Sequence, residues 1–500
     1  MKIIFIFFLV LFLSFPLFAQ TRTAWVRTQF GGEDTWASDI IVDYSGNVYV
    51  TGTFGRDYCT IKYHPNGDTA WMRKYNGPIN GWDYAKAIAL DDFGNVIVTG
   101  VTGYTSMLGP TDDWATIKYD SAGNQLWVRT YNGPGNDEDV AWDLVVDDRG
   151  NIYVTGWSTG NETNYDYTTI KYDSSGNELW VRRLNRSNSW YEDRAFAIDL
   201  DHSGNVYVTG QSQVSGTSFD YATIKYDSDG NELWVGIYDD TSSVDYGTDL
   251  AVDKFGNVYV TGWSLRSGSA WGCATIKYDS NGTQIWASRY DKAGDWAYRI
   301  ALDDFGNIFV IGATGAYWDK HYLTIKYDSS GNELWARTYG GPVNGWDEAR
   351  DLAVDKSGNV YVTGYIHVTG SSESCDFATI KYDPYGNEMC VKRYNSTGGS
   401  SDAGYAIAVD DSGYVYVTGH DNLRSYTTIK YFPFGLGGDA NGDSYVTVSD
   451  AIYILNYLFK GGPAPHPMTS GDANGDGSIN LADIIYLINY LFRGGPSPVC

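Results

Sequence analysis

Most of the chain consists of short apolar runs, each separated from the next by a polar turn. The runs are rich in Val, Ile, Tyr, Thr and Trp, and the turns are rich in Gly, Asn, Asp and Ser. Runs of this length and composition predict β-strands joined by tight connections. Near the C-terminus the pattern changes to two longer apolar runs, residues 451–459 and 484–492, each followed by Gly-Gly-Pro, which predicts two helices.

Four strand motifs recur in a fixed order. Strand A reads Ile-Ala-Val-Asp, strand B Val-Tyr-Val-Thr, strand C Thr-Ile-Lys-Tyr and strand D Leu-Trp-Val-Arg, each with variations. The heptad containing strand B begins at Gly46, Gly94, Gly150, Gly204, Gly256, Gly306, Gly358 and Gly413. Four strands per unit, in eight units of roughly 50 residues, predict an all-β, eight-bladed β-propeller.

The ends of the repeat region predict how the ring closes. The region opens with a lone strand D around Trp25, and its last unit has a strand C near Ile429 but no strand D of its own. We expect the N-terminal strand to complete the last blade, because this hides two strand edges. The alternative is an open solenoid, which would leave an orphan strand at each end.

The repeats resemble the bacterial β-propeller repeats known as SBBP, which carry a similar Ile-Ala-Val-Asp…Gly-Asn-Val-Tyr-Val-Thr-Gly core. The resemblance covers about residues 21–432. It implies the propeller fold for a domain over residues 20–432, but no particular function, because propellers host many activities.

The first 19 residues are predicted to be a secretory signal peptide. Lys2 is followed by an apolar run from Ile3 to Phe18 and then by Ala19. A membrane anchor is the alternative, but the run is short for a span and lacks a charged flank. Since no other run reaches this length, we expect an extracellular or cell-surface protein with no membrane insertion after cleavage.

The charge of the chain excludes one class of partner. It has 61 acidic and 35 basic residues, a formal net charge of −26. A nucleic-acid-binding protein needs a basic patch, so none is expected here. The five cysteines are irregularly spaced, without a Cys-x-x-Cys pair, and this argues against a dense disulfide framework.

Loop lengths predict which face carries a binding site. The A–B and C–D links are short throughout, whereas the B–C and D–A links vary, and the variable links share one face of the disc. Binding residues usually lie on loops held by a rigid scaffold. The predicted ligand face comprises Trp82, Trp157, Trp190, Trp263, Trp318, His321 and Trp346. Alternatively, these aromatic rings only pad the loops against neighbouring blades.

Acidic residues recur on both sides of strand A. One set precedes the strand: Asp34, Asp83, Asp139, Asp193, Asp245, Asp295, Asp347 and Asp402. The other follows it: Asp43, Asp91, Asp147, Asp201, Asp253, Asp303, Asp355 and Asp410. Two interpretations of these acids stay open. They form a funnel for a cation or polar ligand, or they accept backbone N–H hydrogen bonds within each turn. The exact repetition favours the second, because a turn repeats with the blade and a catalytic site need not.

The C-terminal region contains two candidate calcium loops, each beginning Asp-Ala-Asn-Gly-Asp. Their positions 1, 3, 5, 7, 9 and 12 are Asp439, Asn441, Asp443, Tyr445, Thr447 and Asp450 in the first loop, and Asp472, Asn474, Asp476, Ser478, Asn480 and Asp483 in the second. Oxygen ligands at alternate positions wrap a Ca²⁺ ion, position 7 through its backbone carbonyl. The sequence therefore predicts two calcium ions.

Two such loop–helix units resemble a dockerin, and Asp at position 12 fits dockerins better than ordinary EF-hands, which use Glu. The resemblance implies a small α-helical domain over residues 433–500 that binds a cohesin-like protein or a cell-surface complex. His-Glu-x-x-His and phosphate-loop signatures are absent from the sequence, and Gly-x-Ser-x-Gly occurs only at residues 156–160, at the end of a strand B motif. We therefore expect a secreted, non-enzymatic binding or scaffold protein, with polysaccharide as a candidate ligand. The alternative is a carbohydrate-active hydrolase or lyase on the propeller.

Overall fold

The computed structural model describes residues 23–434 and 437–498, with gaps at 105–111, 187–191, 214–217, 241–243, 267–269, 293, 317, 370–373, 397–400, 423, 443–445, 466–467, 476–477 and 496–497. The predicted signal peptide lies outside the described residues. The chain up to residue 434 forms one compact unit, and the chain from residue 437 belongs to a second.

The first unit is built from 32 strands. Strand β1 (Thr23–Phe30) comes first. Blade 1 follows with β2 (Thr35–Val42), β3 (Val48–Phe54), β4 (Asp57–Tyr63) and β5 (Thr69–Tyr75), and blade 2 with β6 (Trp82–Leu90), β7 (Val96–Tyr104), β8 (Asp113–Tyr119) and β9 (Gln125–Tyr131). Blade 3 has β10 (Asp139–Val146), β11 (Ile152–Thr159), β12 (Tyr165–Tyr172) and β13 (Glu178–Leu184), and blade 4 has β14 (Asp193–Leu200), β15 (Val206–Ser212), β16 (Asp220–Tyr226) and β17 (Glu232–Tyr238).

The remaining blades repeat this order. Blade 5 has β18 (Asp245–Val252), β19 (Val258–Arg266), β20 (Ala270–Tyr278) and β21 (Gln284–Tyr290), and blade 6 has β22 (Trp296–Leu302), β23 (Ile308–Ala316), β24 (Asp319–Tyr327) and β25 (Glu333–Tyr339). Blade 7 has β26 (Glu348–Val354), β27 (Val360–His367), β28 (Cys375–Tyr382) and β29 (Glu388–Tyr394). Blade 8 supplies only β30 (Asp402–Val409), β31 (Val415–Asp421) and β32 (Ser425–Tyr431).

Each blade is a four-stranded antiparallel sheet, and the last sheet has the order β1-β32-β31-β30. The N-terminal strand pairs with β32, with Val26 opposite Ile429. Strand β2 of blade 1 packs against β30 and β31 of blade 8. The predicted eight-bladed propeller, closed by the N-terminal strand, is confirmed, and the open solenoid is wrong.

Side chains that recur in the repeat join each blade to the next. In blade 3, the Tyr167 hydroxyl donates to the carbonyl oxygen of Ala222 at 3.0 Å, and Lys171 Nζ donates to that of Ser228 at 2.8 Å. The equivalent Tyr426 of blade 8 donates to the carbonyl oxygen of Cys59 in blade 1 at 2.8 Å. Blade 8 therefore contacts blade 1 as any blade contacts its successor, which is why the ring closes without a specialised seam.

The two repeated sets of acids support the turns and blade junctions. Asp91 Oδ1 accepts the backbone N–H groups of Phe93 and Asn95 in the A–B turn. Buried Asp193, from the set before strand A, accepts the Ser212 hydroxyl and a backbone N–H of the D–A link. Asp34 is a correction to that set, because register places the buried Thr35 at the equivalent position in blade 1.

The C-terminal unit contains helices α1 (Val448–Lys460) and α2 (Leu481–Arg493) and a 3₁₀ turn (Met468–Gly471). Both helices begin three residues before the predicted apolar runs, because each has a capping box at its N-terminus. Each ends at a left-handed glycine, Gly461 or Gly494, as the Gly-Gly-Pro signal predicts. In the part of the chain that the structure describes, no helix is both long enough and apolar enough to span a membrane.

Candidate functional site

Every innermost strand of the propeller carries a β-bulge near its start. The pairing register shifts by one residue at the same place in all eight strands A, for example between Ala37 and Asp39. The residues at these bulges are Ser38, Lys86, Trp142, Phe196, Thr248, Tyr298, Arg350 and Tyr405. All eight line one cavity of about 670 Å³, which we call the funnel. A bulge re-aims its side chain, and here it aims one side chain per blade at the channel.

Further aromatic rings form the wall of the funnel. Trp36 and Tyr246 come from the beginnings of strands A, and Trp263 comes from the end of a strand B, so the funnel opens among the variable B–C and D–A links. Tyr246 and Trp263 lie with their ring centroids 4.3 Å apart. Trp142 packs against Phe196 at 5.7 Å. The wall therefore presents broad, mutually supported aromatic surfaces to anything that enters.

Two cations lie against these rings. Lys86 Nζ is 4.7 Å from the centroid of the Trp142 ring, and burial lowers the pKa of Lys86. Arg350 pairs with Glu348 at 2.6 Å and lies over the ring of Tyr298. Both contacts are cation–π arrangements, which fix the orientation of the rings and of the charges.

His420 adds a neutral polar group to the wall. Its side chain is only 2% exposed, and neither ring nitrogen has a hydrogen-bond partner within the described structure. Burial lowers its pKa to about 4, so the ring is uncharged at neutral pH. A neutral imidazole offers one donor and one acceptor. Its ring packs at a tilt against that of Tyr405, with the centroids 5.2 Å apart, and it lines the funnel.

The floor of the funnel is a smaller polar cavity of about 190 Å³. Four carboxylates line it, all at one strand position and in alternate blades: Asp39, Asp143, Asp249 and Asp351. Arg299 occupies the same position in blade 6 and lies among them. Each carboxylate also accepts a backbone N–H from the following blade, for example Asp39 Oδ2 from Ile88 at 2.9 Å.

Burial shifts the titration of this floor. It raises the pKa of Asp39 and of Asp249 to about 7 and that of Asp351 to about 6. Backbone hydrogen bonds lower all three pKa values in part, and the Arg299 charge lowers those of Asp249 and Asp351. Burial opposes the charge of Arg299, but the four carboxylates overcome it and raise its pKa. The floor is therefore a set of acids that exchange protons near neutral pH around one permanent cation.

The predicted ligand-face residues are only partly brought together. Trp263 lines the funnel, and Trp157 is buried behind Trp142 at 5.4 Å. Trp82 packs on Tyr84, Trp346 packs on Trp296, and Trp318 is 82% exposed. Trp190 lies outside the described residues. His321 is not part of the funnel; it lies between Asp319 and Asp347, 3.8 Å from each.

Sequence reasoning missed the bulge residues, although a signal for them exists. The residue just before the bulge is always Ala or Gly, whereas the bulge itself holds seven residue types in eight repeats. The repeat is otherwise regular, so a position whose residue type varies beside a constant small residue indicates a side chain that the fold does not require. The usual alternation of inward and outward side chains in a strand does not predict these positions, because a bulge inserts one residue and breaks the alternation.

A second constellation resembles a nucleophile with its base. Cys375 Sγ lies 3.5 Å from His367 Nε2, and His367 Nδ1 lies 3.5 Å from Asp347 Oδ1. All three side chains are buried, and burial raises the pKa of the Cys375 thiol to about 11. A nucleophilic cysteine needs a lowered pKa and access. We therefore assign this cluster to packing.

The two calcium loops share one local geometry in their described parts. Asp450, at position 12, accepts the backbone N–H groups of Asn441 and Thr447, and Asp483 does the same for Asn474 and Asn480. The carboxylates at positions 1 and 12 are buried, namely Asp439, Asp450, Asp472 and Asp483. Ser478 is exposed, and Asp443, Tyr445 and Asp476 lie outside the described residues. Buried carboxylates facing one turn of backbone are a donor set that suits Ca²⁺.

Comparison with known families agrees with both units. A model of the SBBP beta-propeller repeat matches residues 27–53, 130–162, 235–265 and 335–377. A model of the dockerin type I domain matches residues 437–492. The chain carries SBBP propeller repeats and a C-terminal dockerin type I domain. Dockerin type I domains bind calcium in general, and a dockerin implies a cohesin-type partner.

Individual relatives are distant. An uncharacterised WD repeat-containing protein of Acanthamoeba polyphaga mimivirus is 23% identical over 271 residues, which is 53% of this chain and 8% of that protein. The regulatory protein FlaEY of Caulobacter vibrioides is 31% identical over 135 residues, 23% of this chain and 14% of that protein. The chain thus spans only a small part of the length of these relatives.

Three solved structures show a low similarity to this chain. Virginiamycin B lyase from Staphylococcus aureus has a TM-score of 0.37 at 9% identity, covering 81% of this chain and 99% of its own. The WD40 domain of SCAP from fission yeast has a TM-score of 0.45 at 10% sequence identity, and the match covers 81% of this chain and 98% of that domain. An ulvan lyase has a TM-score of 0.43 at 12% sequence identity, and the match covers 82% of this chain and 96% of the lyase.

The dockerin helices each expose an apolar stripe. On α1 the stripe contains Val448, Ile452 and Phe459, and on α2 it contains Leu481, Ile485, Ile488 and Phe492. Each stripe residue of α1 has a large apolar counterpart 33 positions later on α2, and Ile452 and Phe459 recur there as Ile485 and Phe492. Inward-facing Ile454 and Leu487 are fully buried between the helices. Large apolar side chains left in solvent on a small domain indicate a docking surface.

Proposed function

We propose that this protein is exported, binds a ligand in the funnel of its propeller and is tethered through its dockerin domain to a cohesin-type partner. The funnel carries the first part of the proposal. The fold repeats eight times, yet the side chains that the eight bulges deliver to the funnel do not repeat. Residues required by the fold recur with it, so a non-repeating lining on a repeating scaffold supports a binding role.

The chemistry of the lining favours a saccharide ligand. Trp36, Trp142, Trp263 and Tyr298 offer flat apolar faces, and such faces suit the C–H faces of sugar rings. Gln211, His420 and Arg350 add a few convergent polar groups beside them. Ligand sites typically combine these two features in cavities of ~300–1,000 Å³. We therefore assign the funnel to a segment of polysaccharide.

The test is a binding screen of the mature protein against purified polysaccharides, followed by titration of each hit. Trp142→Ala should weaken binding at least tenfold, because it removes the largest ring delivered by a bulge. Trp318→Ala is the matched control, since it removes the same side chain from an exposed position outside the funnel. Equal loss in both variants, or none in Trp142→Ala, would contradict the assignment.

A second candidate function, polysaccharide hydrolysis or elimination, is favoured by one observation. Asp39 and Asp249, with pKa values near 7, lie at the floor of the same funnel as Tyr298 and Arg350. A carboxyl group with a raised pKa can serve as a general acid. The same incubations should therefore be analysed for new reducing ends and for unsaturated sugar products. Cleavage abolished by Asp39→Asn or Asp249→Asn would establish an enzyme in place of a binding protein.

For the dockerin domain we propose two calcium ions, one per loop, and docking through the exposed helix stripes. Purified cohesins should capture the protein in calcium and release it in chelator. Ile452→Asp and Ile485→Asp together should abolish capture without reducing helix content, which circular dichroism checks. If the double variant is still captured, the docking surface does not include these helix stripes.

Export rests on the N-terminal segment, which lies outside the described residues. Protein recovered from the culture medium should begin at Gln20, because residues 1–19 are the proposed signal peptide. Retention of Met1 in the medium-derived protein would contradict cleavage.

A further inference from the structure

The cations of the funnel and its floor differ in how far the protein itself compensates them. In blade 7, Arg350 is paired with Glu348. The same carboxylate accepts the hydroxyl groups of Tyr298 and Tyr365. Arg299 lies among the four carboxylates of the floor. Both guanidinium groups are therefore satisfied within the propeller before any ligand enters.

Lys86 differs from both, because no carboxylate in the described part of the chain forms an ion pair with it. Its Nζ lies against the Trp142 ring, and the influence on its pKa is burial. Asp39 and Asp143 line the same floor cavity, but both oxygens of each accept backbone N–H groups. The ammonium group thus carries three N–H donors and faces no paired anion among the described residues.

The fold does not require a cation at this bulge. Lys86 is half-buried, and an unpaired charge on a partly desolvated wall costs free energy. The same bulge holds Ser, Trp, Phe, Thr, Tyr or Arg in the other blades, so the repeat folds without lysine there. An anionic group on the ligand would supply the partner that the protein does not.

The neighbours of Lys86 suit the rest of an acidic sugar unit. Blades 8, 1 and 2 are consecutive, since β2 packs against β30, β31 and β6. They bring His420, Trp36 and Lys86 to the funnel wall. The Trp36 ring is stacked with that of Tyr84, at a centroid separation of 5.8 Å. This sector of the wall therefore combines an aromatic ring, a neutral hydrogen-bonding ring and a cation.

The net charge of the chain does not oppose an anionic ligand at this position. The acids of the A–B turns, such as Asp91, lie five residues further along strand A than Lys86. At ~3.3 Å per residue this is ~16 Å, and the Debye length at 0.15 M salt is ~8 Å. Their charge is largely screened at the bulge. The nearer acids of the floor surround Arg299.

We propose that the ligand of the funnel is an acidic polysaccharide and that Lys86 binds its carboxylate or sulfate group. This inference rests on the proposed saccharide-binding function and specifies its ligand class. The Lys86 ammonium donates to the anionic oxygens, Trp36 lies against the sugar ring, and His420 exchanges a hydrogen bond with a hydroxyl group. Hydrogen bonds between charged groups are roughly twice as strong as neutral ones, so the anionic group selects the ligand.

The experiment measures binding of the full mature chain to polysaccharide pairs that differ in their acidic groups. Oligogalacturonates are paired with their carboxyl-reduced forms, and dextran sulfate is paired with dextran. In 0.15 M salt at neutral pH, an acidic member should bind ~10-fold or more tightly than its neutral partner. The pair that shows this difference distinguishes a carboxylate from a sulfate ligand. Lys86→Met keeps the apolar stem and should remove the difference, with the neutral member bound as before.

Lys74→Met is the matched control. Lys74 also lies over an aromatic ring, that of Phe54 at 4.0 Å, but it is exposed and outside the funnel. It should retain the wild-type preference. Lys86→Thr, which installs the residue of the blade 5 bulge, is the second variant if Lys86→Met folds poorly. All 18 tryptophans precede residue 437, so tryptophan-detected melting checks the fold of the propeller in each variant.

The outcomes separate this inference from the function on which it rests. Equal binding of acidic and neutral members, with a loss in Trp142→Ala, would overturn the acidic ligand and leave the saccharide site intact. Equal losses in Lys86→Met and Lys74→Met would also overturn it, because the polyanion would then be held by surface charge outside the funnel. If none of these polysaccharides binds, or if Trp142→Ala binds them as the wild type does, both proposals fail.

Discussion

The indole Nε1 of Trp25 donates a hydrogen bond to the carbonyl oxygen of Pro65 at 3.0 Å. Trp25 belongs to the N-terminal strand, and Pro65 lies in the C–D turn of blade 1. The same contact occurs within the ring, where Trp180 of blade 3 donates to the carbonyl oxygen of Ser228 in blade 4. The first strand is therefore used as the last outer strand of the ring, and the chain ends of the propeller are fixed together.

Removing Trp25 should open this closure. The side chain is buried against Tyr63 and Tyr416, one from each of the two blades that it joins. Trp25→Ala should reduce the free energy of unfolding by ~3–5 kcal/mol, which is usual for a buried Trp. Chemical denaturation followed by fluorescence measures it. Trp318→Ala should change the same quantity by less than ~0.5 kcal/mol; similar values for both variants would rule out a special role for the closure.

Two glycines with one sequence signature should differ in their tolerance of alanine. Gly94 in an A–B turn and Gly123 in a C–D turn both have positive φ, 75° and 83°. A Cβ on Gly94 would find no atom closer than 3.9 Å, but one on Gly123 would lie 2.8 Å from the Trp71 ring. Gly94→Ala should cost ~1–2 kcal/mol from backbone strain alone, and Gly123→Ala ~1–3 kcal/mol more from overpacking. Thermal melting measures both variants. Equal losses of stability in Gly94→Ala and Gly123→Ala would contradict the prediction and would mean that the ring of Trp71 moves aside.

The propeller could be predicted from the sequence because its determinants are local and repeated. Each Asp-x-x-Gly-Asn turn needs a glycine at positive φ, and each strand reads as β-branched and aromatic, so eight copies reinforce one interpretation. The misplacement in the acidic sets, Asp34, arose because blade 1 has Thr35 at this register position and an aspartate directly before it.

The sequence predicted which face of the propeller carries the candidate site, but not the residues that line it. The variable links do surround the funnel, but its lining comes from bulges, and a bulge depends on cross-strand register that a single strand does not reveal. The sequence also predicts Trp82 and Trp346 on the ligand face, but these rings pack against Tyr84 and Trp296.

Calcium removal should unfold the dockerin helices and leave the ring of blades folded. Asp450 and Asp483 are buried N3 residues of their capping boxes, so without the ion their carboxylates remain desolvated at the start of each helix. Metal-dependent small domains commonly lose their fold when the metal is removed. Chelator should therefore lower the helical signal in circular dichroism, while tryptophan emission at 25 °C stays unchanged. Magnesium is the control, and recovery with magnesium alone would contradict a calcium-specific loop.

The floor of the funnel should make propeller stability depend on pH through Arg299. The pKa values of Asp39, Asp249 and Asp351 are raised to about 7, 7 and 6 from 3.8, so the folded state binds these protons more tightly than the unfolded state. Their stabilising contribution is complete below pH 3.8 and is lost as pH rises through 6 to 7. Arg299 offsets part of that loss, because its charge acts on the ionised carboxylates.

Arg299→Met should consequently lower the melting temperature by a few degrees more at pH 8 than at pH 5. At pH 5 these carboxyls are largely protonated and repel one another little, whereas at pH 8 they are ionised with no cation between them. Tryptophan-detected melting in constant calcium separates this effect from the dockerin domain. Lys356→Gln is the control, because Lys356 pairs with Asp411 on the exposed surface and its loss should be the same at both pH values. An Arg299→Met loss that is equal at pH 5 and pH 8 would mean that the carboxylates of the floor do not titrate in this range.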